Sequence, residues 1–317
     1  MHRKSIGRAA PWLLGMLLVI TACKSNLPSP APTHLPSPRV TSSATVTPTS
    51  LPSSTPIPPT STPVPLAARV NGEDLTLEEF QAELTRYKAA QQASGQSPVQ
   101  DDGKLVLDDL IDEMLLAQAA HATGFKVDDA MLQDRLDQLI VKAGGEQAFD
   151  QWLADNDYTL VTFRHALSRS IASAWMRDQI VAQVPDTADQ VHARQILLYN
   201  VGQANQVLTQ LDSGKDFASL AASYDPTTQG DLGWFPKGYL TDPKLDEAAF
   251  NLQPGEHSPV IETSHGFVIL QVIERDPEHV LEPDARLVLQ MQALQNWLEA
   301  HRSQSEITIE TTIGSVN

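Results

Sequence analysis

From about residue 67 the chain changes hydrophobic period once, and the change divides it. Up to residue 185 apolar positions recur every three to four residues, the mark of helices burying one face. Ala68-Arg69-Val70 followed by Asn71-Gly72 predicts a short strand ending in a turn. Thr76-Leu77-Glu78-Glu79 predicts a capping box, with Thr76 as cap and Glu79 reaching back, opening a helix along Leu77, Phe80, Leu84 and Tyr87. A second helix over 104–122 sets Leu107, Leu110, Ile111, Met114, Leu115 and Gln118 along one side, with Gly124 behind its end. Asp128 is a cap candidate for a third helix (Met131, Leu132, Leu136, Leu139, Ile140), which stops at Gly144-Gly145. Residues 146–154 give a fourth helix, with Phe149, Trp152 and Leu153. Thr159 opens a fifth, with Phe163, Leu167, Ile171, Trp175 and Ile180. His121 and His165 stand alone in this lobe, as surface or packing histidines do, and nothing in it has metal-ligand or nucleophile spacing.

Over 189–275 the period becomes mixed. Residues 191–198 read as a strand, 204–211 as an amphipathic helix closed by Gly214, and Phe217, Leu220 and Ala221 mark another helix. The stretch YDPTTQGDLGWFPKGYL (224–240) brackets a short strand containing Trp234-Phe235 with glycine turns. A helix over 245–250, a Pro254-Gly255 turn, and strands over 259–262 and 267–273 complete a β-α-α-β-α-β-β order. That order predicts an antiparallel-sheet α+β unit. Beyond it Leu287, Met291, Leu294 and Leu298 predict one face of a terminal helix, and SEITIET alternates as a closing strand.

The first 66 residues follow a different pattern. Arg3, Lys4 and Arg8 precede an apolar run over 12–20, which is too short to span a bilayer and reads as a signal h-region. Thr21-Ala22 before Cys23 resembles a bacterial lipobox, which implies cleavage before Cys23 and a lipid on its thiol. An ordinary signal peptide with an incidental cysteine is the alternative. Cys23 is the one cysteine in the sequence, so no intramolecular disulfide and no multi-cysteine metal site is available. Residues 24–65 are mostly Pro, Ser and Thr, too poor in apolar surface to fold, and read as an extended spacer of the kind that carries O-glycans. The formal net charge of −17 falls on the body. It suits solubility, and no Lys/Arg cluster follows residue 40, which excludes a nucleic-acid partner of the usual kind.

VHARQILL, GKDFASLAASY, GDLGWFPKG, DEAAFNLQPGEHSPV and HGFVILQV occur in the order and at nearly the spacing of parvulin-type (PpiC, rotamase) peptidyl-prolyl isomerase domains, which this segment resembles throughout. The helices before it, with VNGEDLTLEEF, resemble the N-terminal chaperone region of SurA- and PrsA-type foldases. The resemblance implies an α+β protein: an all-α chaperone lobe, a parvulin-like antiparallel-sheet domain, and a C-terminal helix returning to the lobe. The expected division is 1–22 signal peptide, 23–66 stalk, 67–185 chaperone lobe, 189–275 isomerase domain, and 283–313 the helix and strand completing the lobe. It further implies proline-containing or unfolded polypeptides as partners, action outside the cytoplasm with Cys23 as membrane anchor, and chemistry needing neither cofactor nor metal.

Parvulins place two histidines on adjacent central strands. Here Gln195 and Val268 stand at those positions. His192 and His265, each three residues away, are poor substitutes, since His192 at an odd offset faces the opposite side of its strand and His265 lies in a turn. Asp225 is the nearest match to the acidic loop residue of the family, in a loop shortened to Asp225-Pro226-Thr227-Thr228-Gln229 before Gly230. Thr263 matches a polar residue of the family pattern, and Gln195 keeps the capacity to hydrogen-bond either Thr263 or backbone. Leu240 and Leu245 match the positions that cradle proline, and Phe250 is equally a pocket wall or a core residue. Two functions are compatible with this set: a lipid-anchored isomerase and foldase, or a holdase whose parvulin domain binds polypeptide without isomerising it.

Overall fold

The computed structural model describes residues 64–96 and 101–310. Cys23, the signal segment, most of the stalk and residues 311–313 lie outside the described residues.

The helical lobe is built on a small sheet. Strands β1 (Leu66–Val70) and β2 (Glu73–Thr76) form a hairpin across Asn71 (φ 52) and Gly72 (φ 86), the two left-handed residues a tight hairpin turn requires. Thr76 caps α1 (Leu77–Ala93) by accepting from Glu79 N at 3.1 Å. The reciprocal half of the expected capping box is not formed. The Glu79 carboxylate is drawn instead to Arg169, whose guanidinium also reaches Glu113 at 3.3 Å. A buried cation outcompetes one backbone N–H for a carboxylate.

Helix α2 (Asp102–Ala122) is the centre of the lobe and buries more than one side, because α1, β1, α5 (Leu160–Ala182) and the terminal helix α9 (Pro283–Gln304) all pack on it. Helices α3 (Asp129–Ala143) and α4 (Glu146–Asp155) form a satellite around Leu136, Leu139, Phe149, Leu153 and Phe163. Asp128 and Thr159 cap α3 and α5 as their sequence positions predict.

At the other end of the chain, Leu298 of α9 packs on Leu116 and Ile180. Arg302 donates to Asp112 at 2.5 Å and to the Asp108 carbonyl at 2.6 Å. Strand β7 (Ile307–Ile309) then adds to β1, giving a β2-β1-β7 sheet. Of the helix face expected from Leu287, Met291, Leu294 and Leu298, only the last two pack on the lobe, while Leu287 and Met291 are 55% and 48% exposed. The first half of α9 extends beyond the helical lobe, and there it packs through Ala285, Leu289 and Ala293 instead, against Val184, Leu281 and Tyr239.

The second unit runs β3 (Thr187–Leu198), α6 (Val201–Asp212), α7 (Phe217–Tyr224), β4 (Asp231–Pro236), α8 (Pro243–Asn251), β5 (Ile261–Thr263) and β6 (Gly266–Val280). Its antiparallel sheet has the order β4-β3-β6-β5. Helices α6 and α7 cover one face, over Ile196, Leu198 and Ile269. The other face carries Val191, Ala193, Val268, Leu270 and Val272 beneath α8. Strand β6 runs seven residues past Ile273, the end its apolar pattern predicts, because the charged segment 274–280 pairs with the start of β3. Gln190, 1% exposed, fixes that ribbon by donating to the carbonyls of His279 and Val280 at 2.9 and 3.2 Å.

Candidate active site

β3 and β6 are neighbours at the centre of the sheet, with Gln195 opposite Leu270 and Leu197 opposite Val268. Alternation puts Gln195, Leu197, Val268 and Leu270 on the face away from α6 and α7. Val268 is 2% exposed and belongs to the same apolar cluster as Leu240, Leu245, Phe250 and Ile261. The fold therefore brings the two histidine positions and the three proposed proline-cradling residues to one face. Phe250 also meets Phe235 edge-on at 6.3 Å, with the Arg275 guanidinium 5.7 Å over its ring.

The GDLG turn is fastened to this face. Gly230 has φ +71, and its carbonyl accepts from Gln195 N at 2.8 Å. A Cβ at this position would lie 1.9 Å from the Gln195 carbonyl oxygen, so glycine is required both by conformation and by contact. Gly233 shares the left-handed conformation, φ +70, but a Cβ there would meet nothing within 4 Å.

The polar candidates do not converge. Asp225 accepts from the backbone N–H of Thr227 (3.0 Å) and Thr228 (3.2 Å) and from the Thr228 hydroxyl. That hydroxyl, followed by the backbone donors, holds the Asp225 carboxyl below the usual carboxylate range. Its two oxygens are thus engaged in shaping the shortened loop. Thr263 Oγ1 donates to the Gly266 carbonyl at 2.9 Å and accepts from His265 N at 3.2 Å, so it closes its own turn. Among the described residues no Gln195–Thr263 bond is formed: Thr263 Oγ1 is taken up by Gly266 and His265, and Gln195 N donates to the Gly230 carbonyl. His265 is exposed beside Ser264 and does not turn inward.

His192 lies on the opposite face, as its offset requires, in a cluster that sequence reading missed. Its Nε2 is 2.8 Å from Asp231 Oδ1, and Trp234 lies between it and His279, stacked on His279 at 4.1 Å. Burial works against the charge on Asp231, but Gly233 N–H and His192 hold its carboxyl below the usual range. Only the pairing of residue 192 with 234 and the extension of β6 bring these rings together, and neither shows in local periodicity. Among the described residues no group of three or more His, Cys, Asp or Glu side chains is arranged to hold a metal ion. No helix among them is long and apolar enough to cross a membrane.

Residues 182–274 match the family model of the PPIC-type PPIase (rotamase) domain, and residues 53–177 that of the SurA-like N-terminal domain. The foldase protein PrsA of Halalkalibacterium halodurans is 29% identical over 199 residues, 55% of this chain and 58% of its own length. PrsA of Geobacillus kaustophilus is 31% identical over 185 residues, 55% of this chain and 63% of its own. The matches thus span less than two thirds of either relative. The chaperone SurA of Legionella pneumophila is 32% identical over 142 residues, 38% of this chain and 33% of its own. The crystal structure of the peptidylprolyl isomerase PrsA from Bacillus cereus superposes with a TM-score of 0.42 at 20% identity, covering 74% of this chain and 87% of that one. Residues 53–177 thus match the SurA-like N-terminal domain and residues 182–274 the PPIC-type PPIase domain, and the curated relatives that the chain resembles are named foldase protein PrsA and chaperone SurA.

Proposed function

We propose that the protein is an extracytoplasmic foldase, lipid-anchored through Cys23, that binds unfolded exported polypeptides and isomerises their X-Pro bonds. The observation that carries this reading is the cluster of Leu240, Leu245 and Phe250 around Val268, next to Gln195, on a sheet face framed by an intact GDLGWF turn. The chemistry asks for no nucleophile. An X-Pro bond flips slowly because its amide has partial double-bond character, and a catalyst need only bind the twisted amide better than either planar form. Leu240 and Leu245 would hold the pyrrolidine ring, with Phe250 as a wall. The Gln195 carboxamide, which carries both a donor and an acceptor, would hydrogen-bond the rotating amide. Val268 supplies only hydrocarbon, and Asp225 and Thr263 shape the rims of the slot. The domain division expected from the sequence belongs to this reading: a signal peptide over 1–22, a stalk over 23–66, a chaperone lobe over 67–185 completed by 283–313, and an isomerase domain over 189–275.

One observation favours a second reading. Both histidine positions lack a titrating side chain, and Asp225 is engaged by its own loop, which suits a holdase that grips polypeptide without isomerising it. A prolyl-peptide isomerisation assay run beside an aggregation assay separates the two. Faster isomerisation than in buffer, lost in Leu240→Ala while aggregation suppression persists, supports the first reading. No acceleration with suppression intact leaves the second. Mass spectrometry of the mature N-terminus tests the anchor, and an unmodified Cys23 or cleavage elsewhere refutes it.

A further inference from the structure

The loop that carries Leu240 is held from two sides. Within the parvulin domain, Asp246 of α8, 6% exposed, accepts from Gly238 N at 2.8 Å. From the far end of the chain, Gln292 Nε2 of α9 donates to the Gly238 carbonyl at 2.7 Å, and Asp284 Oδ2 accepts from the Tyr239 hydroxyl at 2.7 Å. The approach at Gly238 is close: its φ is +87, and a Cβ there would meet the Gln292 carboxamide at 2.2 Å. The Tyr239 ring packs both in the slot cluster, 6.2 Å from Phe235, and against the first half of α9. The hydrogen bond has electrostatic consequences at both ends: Asp284 pushes the Tyr239 hydroxyl up, and Tyr239 holds the Asp284 carboxyl down. The other end of α9 is pinned to α2 by Arg302 and to the lobe core by Leu298.

We propose that Gln292 and Asp284 are positioning residues for the prolyl slot: through Gly238 and Tyr239 they fix the conformation of residues 237–240, and with it the placement of Leu240. This rests on the reading of Leu240 as part of that slot. Two successive residues are tied to the same helix, Gly238 through its backbone carbonyl and Tyr239 through its side-chain hydroxyl, and the next residue is the one that would close on the substrate ring. A side chain that must discriminate a twisted amide from a planar one needs its support fixed to a fraction of an ångström. The helical lobe thereby becomes part of the site, since α9 cannot move against α2 without loosening the loop.

The test uses the full chain and three variants: Asp284→Ala/Gln292→Ala, Tyr239→Phe, and the conservative Asp284→Glu. Two quantities are read, kcat/KM for a proline-containing tetrapeptide and amide exchange of residues 237–246 with and without that peptide. The expected result for the double variant is a fall in kcat/KM on the order of tenfold. Exchange should rise in 237–246 while β3 and β6 stay protected. Tyr239→Phe should give a smaller fall, and Asp284→Glu should remain near the wild-type value. Wild-type kinetics in the double variant overturn the proposal. If the unaltered chain does not isomerise the peptide at all, the isomerase reading fails separately. The proposal is then decided by exchange: weaker peptide protection of 237–246 in the double variant supports it, and equal or absent protection in both proteins overturns it.

Discussion

Replacing Gly230 by alanine tests whether the GDLG turn is held by contact with the site strand or only by its own conformation. Two costs add. A non-glycine residue at φ +71 costs about 1–2 kcal/mol. The Cβ, 1.9 Å from the Gln195 carbonyl oxygen, has to be relieved by moving the turn away from β3, which breaks the 2.8 Å Gln195 N to Gly230 O bond. Losing that bond adds about 1 kcal/mol, and residual strain brings the sum to roughly 3 kcal/mol. Gly233→Ala is the internal control, because residue 233 has nearly the same φ and open space around its Cβ, so only the conformational cost of about 1–2 kcal/mol applies. Urea unfolding of both variants measures the difference. With m of about 1–3 kcal/mol per M, Gly230→Ala should shift the midpoint down by about 1–3 M and Gly233→Ala by clearly less. Equal shifts would refute the contact between the turn and Gln195 as the reason for glycine.

Arg169 is 7% exposed and bridges Glu79 and Glu113, so Arg169→Met should destabilise the helical lobe by about 3–5 kcal/mol in thermal or urea unfolding, by stranding two carboxylates. Burial, then Asp112 and Asp108, pushes Asp109 up to about 6. A raised carboxyl binds protons more readily folded than unfolded, so its contribution to stability is fully present below about pH 4 and is lost as pH rises through about 6. Asp109→Asn should remove that component, raising stability at pH 7 relative to the unaltered chain and leaving the two equal near pH 4 in paired unfolding curves. Neither Gln195 nor Val268 titrates and Asp225 is held ionised by Thr228, so slot function should be flat between about pH 5.5 and 8, as read from kcat/KM. A sigmoidal step in that window would place an imidazole in the reaction.

Most elements were legible because their signals are local. Caps at Thr76, Asp128 and Thr159, the stop at Gly144 and the β-α-α-β-α-β-β order follow from spacing and turn chemistry. What was not legible depends on partners distant in sequence. Residues 274–280 are too charged to read as strand and become one because β3 offers free pairing groups. Glu79 leaves its cap for an arginine 90 residues on. The buried ridge of α9 changes along its length because the helix meets the lobe at one end and Tyr239 at the other. Leu240, Leu245 and Phe250, singled out in the sequence, share one apolar cluster with Val268. The commitments of Asp225 and Thr263 to their own turns were not legible, since a short polar side chain that bonds its own backbone leaves no periodic trace.

The slot without histidines is proposed to turn over X-Pro bonds. Magnetisation-exchange NMR on a proline-containing tetrapeptide, with catalytic amounts of the full chain, measures the cis–trans rate directly and without a coupling protease. The expected exchange is faster than in buffer, first order in protein and reduced by Leu240→Ala. Exchange at the buffer rate in the presence of protein that visibly binds the peptide would contradict the proposal.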